Sequence, residues 1–179
     1  MNINRTTSEE QLIKQAQNGS RLAFERLMSP MIPIIYQYIR SKLHSPEDAE
    51  DILQESMLAI WQSIKRFYAA SSFQTWCFAI VRHKLSDFYR TALNTNINLE
   101  ECQSSLTADK QLEEQTENRL LAAELYVAMN ETEREIIFLI FQAQLSYQEA
   151  SQITGIPLGT IKSKMARIKS KLRKHFDAG

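Results

Sequence analysis

From Ser45 the chain reads SPEDAEDILQESMLAIWQSI, and Ala49, Ile52, Leu53, Met57, Ile60, Trp61 and Ile64 recur there at helical spacing. Only a backbone with 3.6 residues per turn gathers these side chains onto one stripe, so the segment is expected to be a long helix with one face in a core. Its start is equally explicit. Ser45 suits the N-cap, Pro46 the first helical position, and Glu47 and Asp48 lie against the positive end of the helix dipole.

The same period returns in most of the chain, and 179 residues contain only four glycines and four prolines. Such a sequence favours long helices over turn-rich sheets, and the expected fold class is all-α. No stretch approaches the roughly 20 uninterrupted apolar residues of a membrane span, and the first residues lack the apolar run of a signal peptide, so membrane insertion is not expected and a cytoplasmic location is. Cys77 and Cys102 stand apart with no metal-ligand or redox spacing, and His44, His83 and His175 are scattered. No cofactor, metal or catalytic group is expected, and Cys77 is expected in a core.

The chain is formally neutral, but its charge is uneven. Residues 1–95 carry eleven Lys or Arg and nine Asp or Glu, a net of +2; residues 96–125 carry two and seven, a net of −5; residues 126–179 carry eight and five, a net of +3. The acidic middle is polar and lacks apolar periodicity, which marks a linker. The expected organisation is therefore two small helical domains, 1–93 and 118–179, joined by a flexible acidic linker at 94–117.

In the second domain, Asn130 and Glu133 have the spacing of a capping box, and Ile136, Ile137, Leu139 and Ile140 follow as a buried helix. Ser146 to Glu149 is a second box, opening a short helix that ends at Gly155, and Pro157 stands where another helix begins. This is helix-turn-helix spacing. The last helix would bury Leu158, Ile161, Met165, Ile168 and Leu172, leaving Thr160, Lys162, Ser163, Lys164, Arg167, Lys169 and Lys171 on other faces for phosphates and base edges. The same cations also suit a merely solvated basic helix.

In the first domain, the face opposite the apolar stripe holds Asp48, Asp51, Gln54, Glu55, Leu58 and Gln62. One leucine ringed by carboxylates and amides suits a protein-binding face, and equally an ordinary exposed leucine. Residues 66–90 interleave aromatics with cations. Phe73, Trp76, Cys77, Ile80, Val81 and Phe88 form a stripe for burial, while Phe78, Arg82, Leu85 and Tyr89 form a second, with His83, Lys84 and Arg90 nearby. Two such faces suit base stacking on single-stranded nucleic acid, or a helix buried on both sides.

Taken in order, AFERLM (23–28), DAEDILQESMLAIW (48–61), SFQTWCFAIVRHKLSDFYR (72–90) and SYQEASQITGIPLGTIKSKMARIKSKL (146–172) resemble the extracytoplasmic-function group of bacterial RNA polymerase sigma factors. The resemblance implies a non-enzymatic alternative sigma factor that binds core RNA polymerase, through the β′ clamp helices and the β subunit, and recognises promoter DNA. On that reading Asp48, Asp51, Gln54, Glu55 and Leu58 dock on the β′ clamp. Phe73 and Trp76 support the −10 melting helix, with Phe78, Arg82, His83, Tyr89 and Arg90 on or near its nucleic-acid face, and the loop at 66–72 helps hold an unstacked base. Thr160, Lys162, Ser163, Lys164 and Arg167 read the −35 element. The linker would thread the RNA exit channel, which should attract an acidic chain. An anti-sigma factor is implied as a further partner. Three positions depart from the family's habit: His83 stands for a common Asn, Lys164 for a frequent Arg, and Asn130 for a frequent Pro.

Two other functions fit parts of this pattern. A dimeric regulator would bind duplex DNA alone and with two-fold symmetry, and a helical adaptor would show no salt-dependent DNA binding. The aromatic stripe in the first domain argues against both.

Overall fold

A computed structural model describes residues 3–94, 126 and 128–176. The chain divides into two compact units between Leu106 and Thr107. The expected linker, apart from Asn94, lies outside the described residues, as do Cys102 and the side chains of Leu172, Lys174 and His175. Among the described residues there is no strand and no helix long and apolar enough to cross a membrane.

The first unit is built from α1 (Ile3–Gln17), α2 (Arg21–Met28), α3 (Ile32–Arg40), α4 (Pro46–Ser63), a 3-10 turn at Ile64–Arg66, and α5 (Phe73–Asn94). Helix α1 packs on α2, and both α3 and α4 pack on α5. Ser45 caps α4 as expected, accepting the Asp48 N–H at 3.1 Å. Backbone hydrogen bonding, and then the Ser45 hydroxyl, hold the Glu47 carboxyl below the usual range. The core contains Ala49, Ile52 and Ile60 of α4 and Ile64 of the 3-10 turn, closed by Tyr38, Ile39, Phe78 and Val81. Cys77 is buried with them, and desolvation pushes its thiol pKa up.

Helix α1 was not marked by any of the sequence signals above, yet it fixes the far end of α4. Its Gln17 Nε2 donates to the carbonyls of Ile64 at 3.2 Å and Phe67 at 2.9 Å. These two bonds set where the loop before α5 begins.

The second unit contains α6 (Glu131–Ile137), which widens into a π turn at Phe138–Gln142, then α7 (Tyr147–Thr154) and α8 (Leu158–Phe176). Both expected capping boxes are complete, at Asn130 with Glu133 and at Ser146 with Glu149. Ile136, Leu139, Ala150, Ile153, Ile161, Met165 and Ile168 form the core.

Gly155 ends α7 at φ 72°, in the left-handed region. Gly155→Ala should destabilise this unit by roughly 1 kcal/mol, because an alanine is strained there whatever the space around it. An added Cβ would meet nothing within 4 Å, so backbone strain is the whole effect. Thermal unfolding of the variant checks this, and an unchanged or higher melting temperature would contradict the left-handed turn.

Candidate nucleic-acid and partner interfaces

The outer face of α4 is set by its period. Residues 51, 54, 55 and 58 fall at steps of three and four opposite the buried stripe, and Asp51, Gln54 and Glu55 are all exposed. Leu58 sits among them, 56% exposed. Asp48 is half-buried at the capped first turn. Glu55 accepts from Lys84 of α5 at 3.2 Å, so the acidic face is tied at one edge to the basic helix beside it.

The loop between the 3-10 turn and α5 rests on an aromatic cluster. Phe67 lies 5.4 Å from Phe73 and 5.2 Å from Trp76, centroid to centroid, and Phe73 lies 5.7 Å from Trp76. Phe67 and Phe73 are buried and Trp76 is half-buried. Ser72 caps α5, accepting the Thr75 N–H at 3.2 Å. Phe73 and Trp76 therefore hold the loop in place, while Tyr68 stands out from it, 80% exposed. Tyr68 was not singled out in the sequence, where nothing separates it from the buried Phe67 beside it.

The expected second stripe of α5 is corrected by its neighbours. Phe78 is 1% exposed, with its ring edge against Tyr38 at 5.4 Å, and Leu85 is buried too. Tyr89 is half-buried and its hydroxyl donates to the Lys42 carbonyl at 2.5 Å. Helix α5 packs on both α3 and α4, and Phe78, buried in that packing, is not exposed for contact with a base. With Phe78 and Leu85 covered, α5 presents no second exposed stripe to weigh against a regulator or an adaptor.

Arg82, His83 and Arg90 remain exposed. Asp87 joins two of them, approached by His83 Nδ1 at 3.1 Å and by Arg90 at 2.6 Å. His83 also rims a groove of about 340 Å³ lined by Ala59, Gln62, Ser63, Arg66, Ile80 and Lys84. Ala59 and Ser63 were not read as site residues, although small side chains one turn apart on α4 are a signal of such a hollow. Ile80, placed in the buried stripe, is half-buried here. Three basic side chains and an apolar floor make the groove suited to a planar, uncharged ring carried on a phosphate chain.

In the second unit the turn before α8 is locked by its own side chains. Ser151 Oγ donates to the Ile156 carbonyl at 2.6 Å, and Thr154 Oγ1 accepts the Ile156 N–H at 3.2 Å. Thr160, Lys162, Ser163 and Arg167 of α8 are exposed, and Lys164 is half-buried. Lys169, Lys171 and Arg173 extend the exposed cations along the helix.

Arg167 is not simply solvated. It is ion-paired with Oε1 of Glu133, the third residue of α6, whose Oε2 accepts the Asn130 N–H at 3.3 Å. Burial pushes the Glu133 carboxyl up, but hydrogen bonds from Arg167 and Asn130 and the charges of Arg167 and Lys164 outweigh it and leave the pKa lowered. The capping box pointed to Glu133 as a cap; its partner lies 34 residues away and no local pattern shows it. Among the described residues no group of three or more His, Cys, Asp or Glu is placed to hold a metal ion.

Residues 27–94 match the Sigma-70 region 2 family, and residues 122–172 match Sigma-70, region 4. The chain is similar to the ECF RNA polymerase sigma factor SigW of Bacillus subtilis (strain 168), at 28% identity over 179 residues, covering 92% of this chain and 94% of that protein. Its fold is similar to CnrH in complex with the cytosolic domain of CnrY, at 22% identity and a TM-score of 0.64, covering 96% of this chain and 98% of that one. It is also similar to the sigma factor RpoE in complex with the anti-sigma factor NepR from Bartonella quintana, at 22% identity and a TM-score of 0.64, covering 86% and 96% of the two chains.

Proposed function

Since the chain belongs to the extracytoplasmic-function group of RNA polymerase sigma factors and is an alternative sigma factor directing promoter recognition by RNA polymerase, we propose how its surfaces divide that work. The outer face of α4, with Asp51, Gln54, Glu55 and Leu58, docks on the polymerase β′ clamp helices. The groove between α4 and α5 holds an unstacked base of the −10 element once the strands part. Helix α8 lies in the major groove of the −35 element. The polymerase performs the chemistry, and this chain supplies promoter choice and strand opening.

The observation that carries this reading is the groove. A hollow of about 340 Å³ with His83, Lys84 and Arg66 on its walls lies beside a loop presenting an exposed tyrosine, and the acidic partner face is on the same helix, α4. Phe73 and Trp76 act from beneath by fixing the loop, and Arg82 and Arg90 add cations along α5. His83 in place of the family's common Asn changes the hydrogen-bonding groups offered to that base. Tyr89 contributes by bracing α5 on the carbonyl of Lys42.

In the second unit Lys162, Lys164, Lys169 and Lys171 are the cations for phosphates, and Thr160, Ser163 and Arg167 share the face turned to base edges. The linker, with its net charge of −5, passes through the RNA exit channel. By analogy with the sigma factor RpoE, solved in complex with the anti-sigma factor NepR, an anti-sigma factor is a further partner of this protein, and the protein acts in the cytoplasm with the polymerase.

The test is promoter binding at graded salt, with and without core polymerase. With core, about four phosphate contacts from α8 should contribute roughly −3.6 to the log–log salt slope. Without core, binding of the same fragment should be weak. Tight binding of the free protein to a two-fold symmetric site would instead make it a dimeric regulator, and salt-independent behaviour would make it an adaptor.

A further inference from the structure

We propose that Glu133 is a positioning residue for promoter readout, holding the Arg167 guanidinium in place on the DNA-facing side of α8. The inference rests on the reading of α8 as the helix that enters the major groove.

Thr160, Ser163 and Arg167 fall at steps of three and four, so they share one face of α8. An arginine on such a face is long, and ordering it against a base edge costs rotamer entropy. Here part of that ordering precedes DNA binding. Glu133 is anchored at the start of α6, with Oε2 accepting the Asn130 N–H, and its side chain is only 7% exposed. Its Oε1 receives the Arg167 guanidinium, whose side chain remains 57% exposed. A guanidinium has five N–H donors in a rigid fork, so donating to one carboxylate oxygen leaves it able to present others to guanine.

The pair should persist, because a buried carboxylate without its cation is costly. Helix α6 also packs directly on α8, so the anchor does not move independently of the reading helix.

Glu133→Gln separates this role from capping. Glutamine at the third helical position still completes a capping box. Glutamate meets Asn130 with one oxygen and Arg167 with the other, whereas glutamine has an oxygen at only one of these positions, and satisfying the cap with it turns the amide N–H₂ toward the guanidinium. With the full chain bound to core polymerase, Glu133→Gln should weaken promoter binding roughly three- to tenfold, the scale of one long side chain left to be ordered on binding. The loss should be concentrated at the base pair Arg167 reads, with the salt slope and the preference at other positions unchanged. In an Arg167→Lys background, where the charge beside Glu133 is kept but the fork is gone, Glu133→Gln should add nothing to the loss of base preference.

Equal effects in both backgrounds, or a uniform loss across sequences accompanied by a lower melting temperature, would overturn the proposal in favour of a purely structural cap. Ser163→Ala and Lys162→Ala decide the underlying reading. If neither these nor Arg167→Lys changes promoter binding, α8 does not read DNA and both ideas fall. If they do change it while Glu133→Gln does not, only the positioning role is lost.

Discussion

Leu58→Asp is expected to weaken association with core polymerase by roughly 30-fold or more, the scale of losing one hot-spot residue at a protein interface. What decides the size of the loss is where Leu58 lies. It is 56% exposed in the middle of an acidic and amide face, so a carboxylate there costs the free protein little. Against a partner that covers this face, the same carboxylate must be desolvated and adds to the negative charge of Asp51 and Glu55. Ile60, two residues on and fully buried, is the contrasting position: an acid there should unfold the first unit. Polymerase binding and thermal unfolding, measured side by side, check the pair. Unimpaired binding by a folded Leu58→Asp protein would remove α4 from the interface.

Phe78→Ala should cost about 3–5 kcal/mol of folding stability in the first unit, the usual range for deleting a buried phenylalanine ring. Phe78 is almost wholly buried, and its edge-to-face contact with Tyr38 joins α5 to α3. Domains of this kind are stable by only about 5–15 kcal/mol, so the loss is a large part of the whole. Polymerase binding and strand opening should therefore decline together, in proportion to the folded fraction seen in urea titration. A stable Phe78→Ala protein defective only in strand opening would return Phe78 to the nucleic-acid face, on or near which the family resemblance had put it.

Phe78 also shows where sequence reasoning stops. The stripe of α4 and the caps at Ser45, Asn130 and Ser146 were legible because each depends on residues within four positions of one another. The glycine turn at Gly155 was legible because a left-handed residue after a short helix favours one amino acid. For α5 the sequence offered two apolar faces and no means of telling whether one neighbour or two would cover them. The answer lay in α3 and α4. Ser56, a polar residue fully buried within the α4 stripe, is similar: spacing puts it in the core, and chemistry alone would not.

The candidate sites divide along the same line. Leu58 and the exposed cations of α8 could be located by counting turns from a cap. The groove at Ala59, Ser63, Ile80 and His83 could not, since it is the space left where two helices and a 3-10 turn meet. Nor could the anchor of the loop before α5, which Gln17 supplies from 47 and 50 residues away, or the Glu133 partner of Arg167. Helix periods, caps and turns were thus determined by the sequence itself, because they arise from hydrogen bonds and side-chain packing inside one or two turns of backbone. Which surfaces stay open, and which charged groups meet, was decided only by the tertiary packing, because those outcomes depend on helices brought together from distant parts of the chain.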